Sequence, residues 1–228
     1  MRKVLGILFL ILCTLQAQEN NGILVSGDGV VESEPDLATI RLGVSFQDKT
    51  ADKVYQQTNA TINQVINALQ KQGVKKEDIK TEGIGLYPQY DYTDGKQKFT
   101  GYQMYHNLSV QVKKIDRISN VIDNATLAGA NTISGISFGF QDPEKLRRQA
   151  RVKAIDAAFR KAKEIAEGAN LKLGKVLQIT ETTYPYEFDR GMEMGGGGAQ
   201  SATIAPGTNA IRVSLTIRYE IKELINKE

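Results

Sequence analysis

One phrase occurs twice in this chain, and it constrains the fold more than any other feature. Residues 43–53 read GVSFQDKTADK and residues 135–145 read GISFGFQDPEK. Each runs from a glycine through an alternating apolar stretch to Gln-Asp, and each then opens a long helical pattern. A strand that gives way to a helix at the same dipeptide, twice, points to a duplicated sheet-and-helix unit.

The elements around the two phrases are legible from period and caps. Ala38, Ile40, Leu42, Val44 and Phe46 alternate with Thr39, Arg41, Gly43, Ser45 and Gln47, the period of a half-buried strand. Ile211, Val213, Leu215, Ile217, Tyr219 and Ile221 alternate in the same way near the end of the sequence. Both strands suit an antiparallel sheet with one polar face. Tyr102, Met104, His106, Leu108, Val110 and Val112 share a third parity, and Asp94-Gly95 ahead of them is a hairpin signal. Asp142-Pro143-Glu144 supplies an N-cap oxygen, a proline where no amide bond is lost, and an acid at the positive dipole end. The helix that follows carries Leu146, Ala150, Ala154, Ala157, Ala158, Ile165 and Ala169 near helical spacing, which implies a narrow approach to a sheet. An earlier helix, 50–72, turns Val54, Ile62, Val65, Ile66 and Leu69 inward and stops at Gly73; a short one, 116–128, stops at Gly129.

The expected architecture is therefore α+β: two related β-α-β-β units with helices packed on antiparallel sheets, joined by a short helix. The first unit spans about 36–113 (strand 36–47, helix 50–72, strands 79–92 and 98–113). The second spans about 131–222 (strand 131–141, helix 143–169, strands 174–187 and 203–222). LYPQYDY at 86–92 and TYPYEF at 183–188 fall at the same place near each hairpin.

Residues 1–17 have the three parts of a secretory signal peptide: Arg2 and Lys3, an almost wholly apolar run over 4–13, and Ala17 as a small residue before Gln18. Ile11 and Leu12 are too bulky to precede a lipid-modified Cys13. Cleavage near Ala17 predicts a periplasmic or secreted domain over 18–228. It also takes Lys+Arg from 29 to 27 against 26 acids, so the formal charge falls from +3 to +1 and no nucleic-acid footprint is left. The only cysteine, Cys13, leaves with it, so no disulfide, thiol nucleophile or thiolate metal site is expected. A chain of this length buries roughly 70% of its unfolded surface and needs no covalent staple.

The segments VSGDGVVESEPDLATIRLGVSF (25–46), ISGISFGFQDPEK through LQITE (133–181) and IRVSLTIRYEI (211–221) resemble the SIMPL-domain family of exported bacterial proteins. The resemblance covers essentially the whole chain after the signal, and the Ala/Lys-rich helix followed by LKLGKV is its most specific part. It implies a periplasmic or outer-membrane-associated protein. Family members include an oxidative-stress defence protein and a periplasmic immunogenic protein that assembles into large rings. The family brings no established catalytic residues to carry onto this chain.

Direct search for chemistry yields little. His106 is the sole histidine and lies on the apolar parity of its strand, where a satisfied, partly buried imidazole is the expected role; alone and without cysteine it cannot build the usual zinc sites. No G-x-S-x-G elbow accompanies it. SGDGVVES at 26–33 lacks the third glycine and the following helix of a dinucleotide cradle, and reads as a turn or bulge. RGMEMGGGG at 190–198 lacks the lysine of a phosphate loop and reads as a mobile hairpin tip; Met192 and Met194 are thin evidence for copper. Asp28, Glu32, Glu34 and Asp36 are expected to face water. No cofactor, metal or catalytic residue is expected.

The tyrosines are the more informative set. Tyr87, Tyr90, Tyr92, Tyr102 and Tyr105 crowd the first hairpin, and Tyr184 and Tyr186 occupy the matching part of the second. Cross-strand aromatic pairs account for them without function. Presentation to a partner, with self-association the natural case, is the second use. A ligand is the third. The reading favoured is a non-enzymatic envelope protein forming a homo-oligomeric scaffold linked to stress protection, with a monomeric ligand-binding module as the alternative.

Overall fold

Strand β2 (Leu37–Asp48) shows why the first phrase folds as it does. Its even residues Ala38, Ile40, Leu42 and Val44 are 0–1% exposed while the odd ones look outward, so one face of the strand is committed to a core. The computed structural model describes residues 22–93, 95–182, 204 and 206–223. Within them the chain forms two compact units, one from residues 32–145, 204 and 206–211, the other from 22–31, 146–182 and 212–223.

The first unit holds a four-stranded sheet in the order β3-β4-β2-β5, with β3 at Ile79–Thr93, β4 at Lys96–Val112 and β5 at Thr132–Gly139. β2 pairs antiparallel with β4 from Ala38↔Val112 to Asp48↔Tyr102, and with β5 from Leu37↔Gly139 to Gly43↔Thr132. Helix α1 (Ala51–Lys71) lays Val54, Thr58, Ile62, Val65 and Leu69 against the sheet. Thr58 is tolerated there because its hydroxyl donates to the Val54 carbonyl at 2.7 Å. Gly73, at φ 86°, ends α1: its amide donates to Gln70 O and the Val74 amide to Leu69 O, two carbonyls that would otherwise be orphaned. Helix α2 (Ile118–Leu127) ends the same way at Gly129, φ 107°. It does more than connect, since Ile118, Val121 and Ala125 complete the core with Leu108 and Val110. Each fully buried aliphatic side chain contributes about 1.5–3 kcal/mol.

The second unit holds a three-stranded sheet in the order β1-β7-β6, with β1 at Ile23–Ser33, β6 at Leu171–Thr182 and β7 at Asn209–Glu223. Helix α3 (Pro143–Gly168) begins where expected, with the Lys145 amide donating to Asp142 Oδ1 at 3.1 Å. Its buried residues are Ala150, Ala154, Ala158, Ala162 and Ala166, a strict four-residue stripe. Ile165 is 46% exposed and Ala169 is also outward, against expectation. The gap explains it. A Cβ on Gly27 or Gly29 of β1 would collide with the backbone oxygens of Ala154 and Ala150, so helix and strand meet too closely for any larger residue.

The expected class, helices on antiparallel sheets, is the one observed, but the strands are dealt differently. SGDGVVES is not a turn; it is the heart of β1, and its glycines face α3. The strand at 131–141 was expected to start the second unit, yet β5 is hydrogen-bonded to β2 in the four-stranded sheet. β1 fills the vacant place: the order β6-β7-β1 repeats β3-β4-β2. Both Gln-Asp pairs keep their shared role, with Asp48 Oδ1 accepting from the Thr50 amide at 3.1 Å as Asp142 does from Lys145.

Candidate functional site

β2 ends opposite Tyr102, and beyond that point β3 and β4 continue without it as a two-stranded arm. Gly101, at φ 145°, makes the exit possible, because a Cβ there would strike the Asp48 carbonyl. The register then slips: Gln89 faces Gly101 but Tyr90 faces Phe99, leaving Thr100 unmatched and turning Phe99 onto the face of Tyr90 and Tyr102. Gly95, at φ 73°, lies in the turn.

The arm has two faces. On the side continuous with the core, Phe99 packs edge-on against Tyr90 (5.7 Å, 69°) and Tyr102 (5.2 Å, 71°). Such pairs contribute about 0.5–1.5 kcal/mol each beyond the area they bury. This row remains open to water: Ile84 is 55% exposed, Leu86 41%, Tyr90 47%, Phe99 45% and Tyr92 73%. On the opposite face Tyr87 and Tyr105 stack at 6.0 Å and 18°. The five hairpin tyrosines are thus split between two faces by strand alternation, while Tyr184 and Tyr186 lie outside the described residues, as do Met192, Met194, the glycine run and residues 1–17. Ile84, Leu86 and Phe99 were missed as members of the row. Their signal was the core parity of β3 and β4, which Ile84 and Leu86 carry alongside β2 at the root of the arm and Phe99 resumes past its end.

His106 stands on the core parity of β4 between Val44 and Ile84 as cross-strand neighbours. Its Nε2 lies 3.1 Å from Thr81 Oγ1, while Nδ1 is buried without a partner. Burial holds its pKa below the ordinary histidine value, which favours the neutral ring. Of the acids, Asp36 Oδ1 accepts from the Gln141 amide at 2.7 Å and Asp28 Oδ1 from the Ser214 hydroxyl at 2.5 Å; both therefore serve the fold. Among the described residues no group of three His, Cys, Asp or Glu is placed to hold a metal ion, and no helix is long and apolar enough to cross a membrane.

The second unit carries a groove. α3 sits toward β1, leaving Val176 and Ile179 of β6 46% and 55% exposed. A cavity of about 580 Å³ opens at the start of β6, floored by Phe159, Ala166, Leu171 and Leu173 with Lys163 and Glu167 at the rim. Farther along, Arg151 grips Glu181 through two bonds of 2.7 and 2.9 Å. The guanidinium's hydrogen bond holds the Glu181 carboxyl below its usual range.

The class defined is an α+β protein with exposed aromatic and apolar surfaces, whose one histidine is bonded to Thr81 of the neighbouring strand β3. The chain belongs to the SIMPL family: the family model, described as "Protein of unknown function (DUF541)", matches residues 23–219. It is 30% identical over 223 residues to the 26 kDa periplasmic immunogenic protein of Brucella melitensis biotype 1, covering 90% of this chain and 89% of that one. It is 33% identical over 157 residues to the "Uncharacterized protein YggE" of Escherichia coli K12, covering 69% and 64%. Over 176 residues it is 27% identical to the human interleukin-1 receptor-associated kinase 1-binding protein 1, covering 75% and 64%.

Proposed function

We propose that this protein is an exported, non-catalytic component of the bacterial envelope that works as a homo-oligomeric scaffold, and that the β3–β4 arm makes its self-contacts. The observation that carries the reading is the uncovered row of Ile84, Leu86, Tyr90, Tyr92 and Phe99, contiguous with the core yet 41–73% exposed. Contiguous apolar surface of this kind marks interaction sites. Strand addition is a poor way to cover it, because β3 is bulged at Glu82 and carries Pro88, features that blunt an edge. Side-chain docking by a second copy is the use that remains.

A periplasmic location is supported by the printed name of the Brucella relative together with the basic, apolar and small-residue pattern of residues 1–17. The non-catalytic reading is supported by the half-buried, neutral His106 and by relatives whose printed names carry no reaction. The tie to stress protection rests on the family resemblance. Peripheral contact with the outer membrane belongs to the same resemblance.

The test is a pair of substitutions. Tyr90→Asp with Tyr92→Asp places two charges in the row while sparing the core, and is expected to yield folded monomer at concentrations where the parent chain assembles. Unchanged assembly in that variant would remove the arm from the account. The groove beside Phe159 and Leu173 favours the second reading, a monomer that binds an envelope ligand, which saturable binding by a persistently monomeric chain would establish.

A further inference from the structure

Gly85 of β3 faces Tyr105 of β4, and Tyr87, two residues along β3, shares its face. The glycine leaves room for both rings. A Cβ at residue 85 would stand 2.5 Å from Tyr87 Cε2 and 2.6 Å from Tyr105 Cε1. Those two carbons therefore lie less than twice that distance apart, with a single point between them. Each is ortho to its phenol hydroxyl, the ring position where a tyrosyl radical concentrates spin. The rings are close to parallel, and the side-chain interaction with Tyr87 raises the Tyr105 pKa above its usual value. Tyr87 is 53% exposed, so an oxidant in solution reaches the pair without unfolding the strand. No other tyrosine–tyrosine ring pair occurs among the described residues.

We infer that Tyr87 and Tyr105 form a covalent modification site, a pair built to couple into dityrosine when a one-electron oxidant such as a haem peroxidase intermediate reaches the arm. Each phenol gives up one electron to the oxidant and one proton to water, producing two neutral phenoxyl radicals. The radicals join through one new Cε–Cε bond. The hydrogen displaced at each joined carbon then returns to the phenol oxygen, restoring both aromatic rings. The chain loses two hydrogens in all, and two oxidant equivalents are reduced. The product ties β3 to β4 at the root of the arm, in a chain whose only cysteine is Cys13. This inference is independent of whether the arm mediates assembly, since Tyr87 and Tyr105 occupy the face opposite Tyr90 and Tyr92.

The experiment treats the full mature protein with horseradish peroxidase and hydrogen peroxide, then reads intact mass, dityrosine fluorescence and cross-linked peptides from the denatured single-chain band. The expected result is a single-chain species lighter by two hydrogens, with the link mapped between residues 87 and 105. It is absent in Tyr87→Phe and in Tyr105→Phe, and unchanged in Tyr92→Phe. Gly85→Ala keeps both phenols but drives the rings apart, and its yield falls several-fold. A link that persists in Tyr87→Phe, maps to Tyr92, forms only between chains, or forms equally well in Gly85→Ala overturns the inference. So does oxidation of the tyrosines without any species lighter by two hydrogens.

Discussion

Replacing Gly27 or Gly29 with alanine is the sharpest test of how the second unit is packed. In Gly27→Ala the added methyl would meet the Ala154 carbonyl, with the Ala158 amide at 2.5 Å and Ala158 Cβ at 2.8 Å. In Gly29→Ala it would meet the Ala150 carbonyl, with the Ala154 amide at 2.6 Å. These are backbone atoms and one alanine Cβ, which has no rotamer to change, so no side chain can swing aside; α3 must retreat as a body. A gap of roughly 0.5–1 Å forfeits a quarter to a half of each dispersion contact along the interface. Ala150, Ala154, Ala158, Ala162 and Ala166 all lie in that stripe. Overpacking of this kind costs about 1–3 kcal/mol. Removing a glycine from a strand recovers about 0.5–1 kcal/mol. The net expectation is about 0–2.5 kcal/mol lost for either single change. Once the first methyl has lifted the helix, the second finds it already displaced, so the double variant should lose less than the sum by at least about 0.5 kcal/mol. Native-state hydrogen exchange of the α3 amides reads the effect within this unit alone. Stabilisation by either alanine, or strict additivity of the two, would refute the close-approach argument.

Three further outcomes follow from particular contacts. Lys113→Ala strands the Asp78 carboxylate, which is 9% exposed and held by Lys113 Nζ at 2.7 and 2.8 Å; urea unfolding should show a loss of about 1–3 kcal/mol, and a loss under about 0.5 kcal/mol would mean the pair acts as an ordinary surface one. Burial lowers the His106 pKa from 6.5, so below pH 6.5 the unfolded chain binds more protons than the folded one; stability holds above that pH and drops as pH falls through the folded value, a step that His106→Gln should abolish in a urea-midpoint titration. The Arg151 hydrogen bond lowers the Glu181 pKa from 4.5, so a second, more acidic loss begins below pH 4.5 and should vanish in Arg151→Gln; a titration in which neither variant changes its step would contradict both assignments.

Much of the fold was legible because local chemistry and tertiary packing agree. β2 and β7 alternate strictly since one face of each is buried and the other wet, and Gly73, Gly129 and Asp142 mark helix ends by geometry that other residues supply poorly. β1 was illegible as a strand because Gly27 and Gly29 stand where apolar residues would signal one; their role depends on a helix more than a hundred residues away. The same contact hid the α3 stripe: Ile165 scores as core by hydrophobicity, yet only alanine fits the gap. The partner of β5 was unreadable for another reason, since strand pairing between distant segments leaves no mark in local period. The hairpin tyrosines were visible and their division between two faces follows strand alternation, but the place of Phe99 beside Tyr90 and Tyr102 turns on one unmatched residue, Thr100, which no local period reveals.

The central claim is that the exposed row on the β3–β4 arm is covered by other copies of the same chain. Native mass spectrometry of the mature protein tests it most directly. The account predicts a discrete species several times the mass of one chain; a single-chain mass that persists at the highest soluble concentration would contradict it.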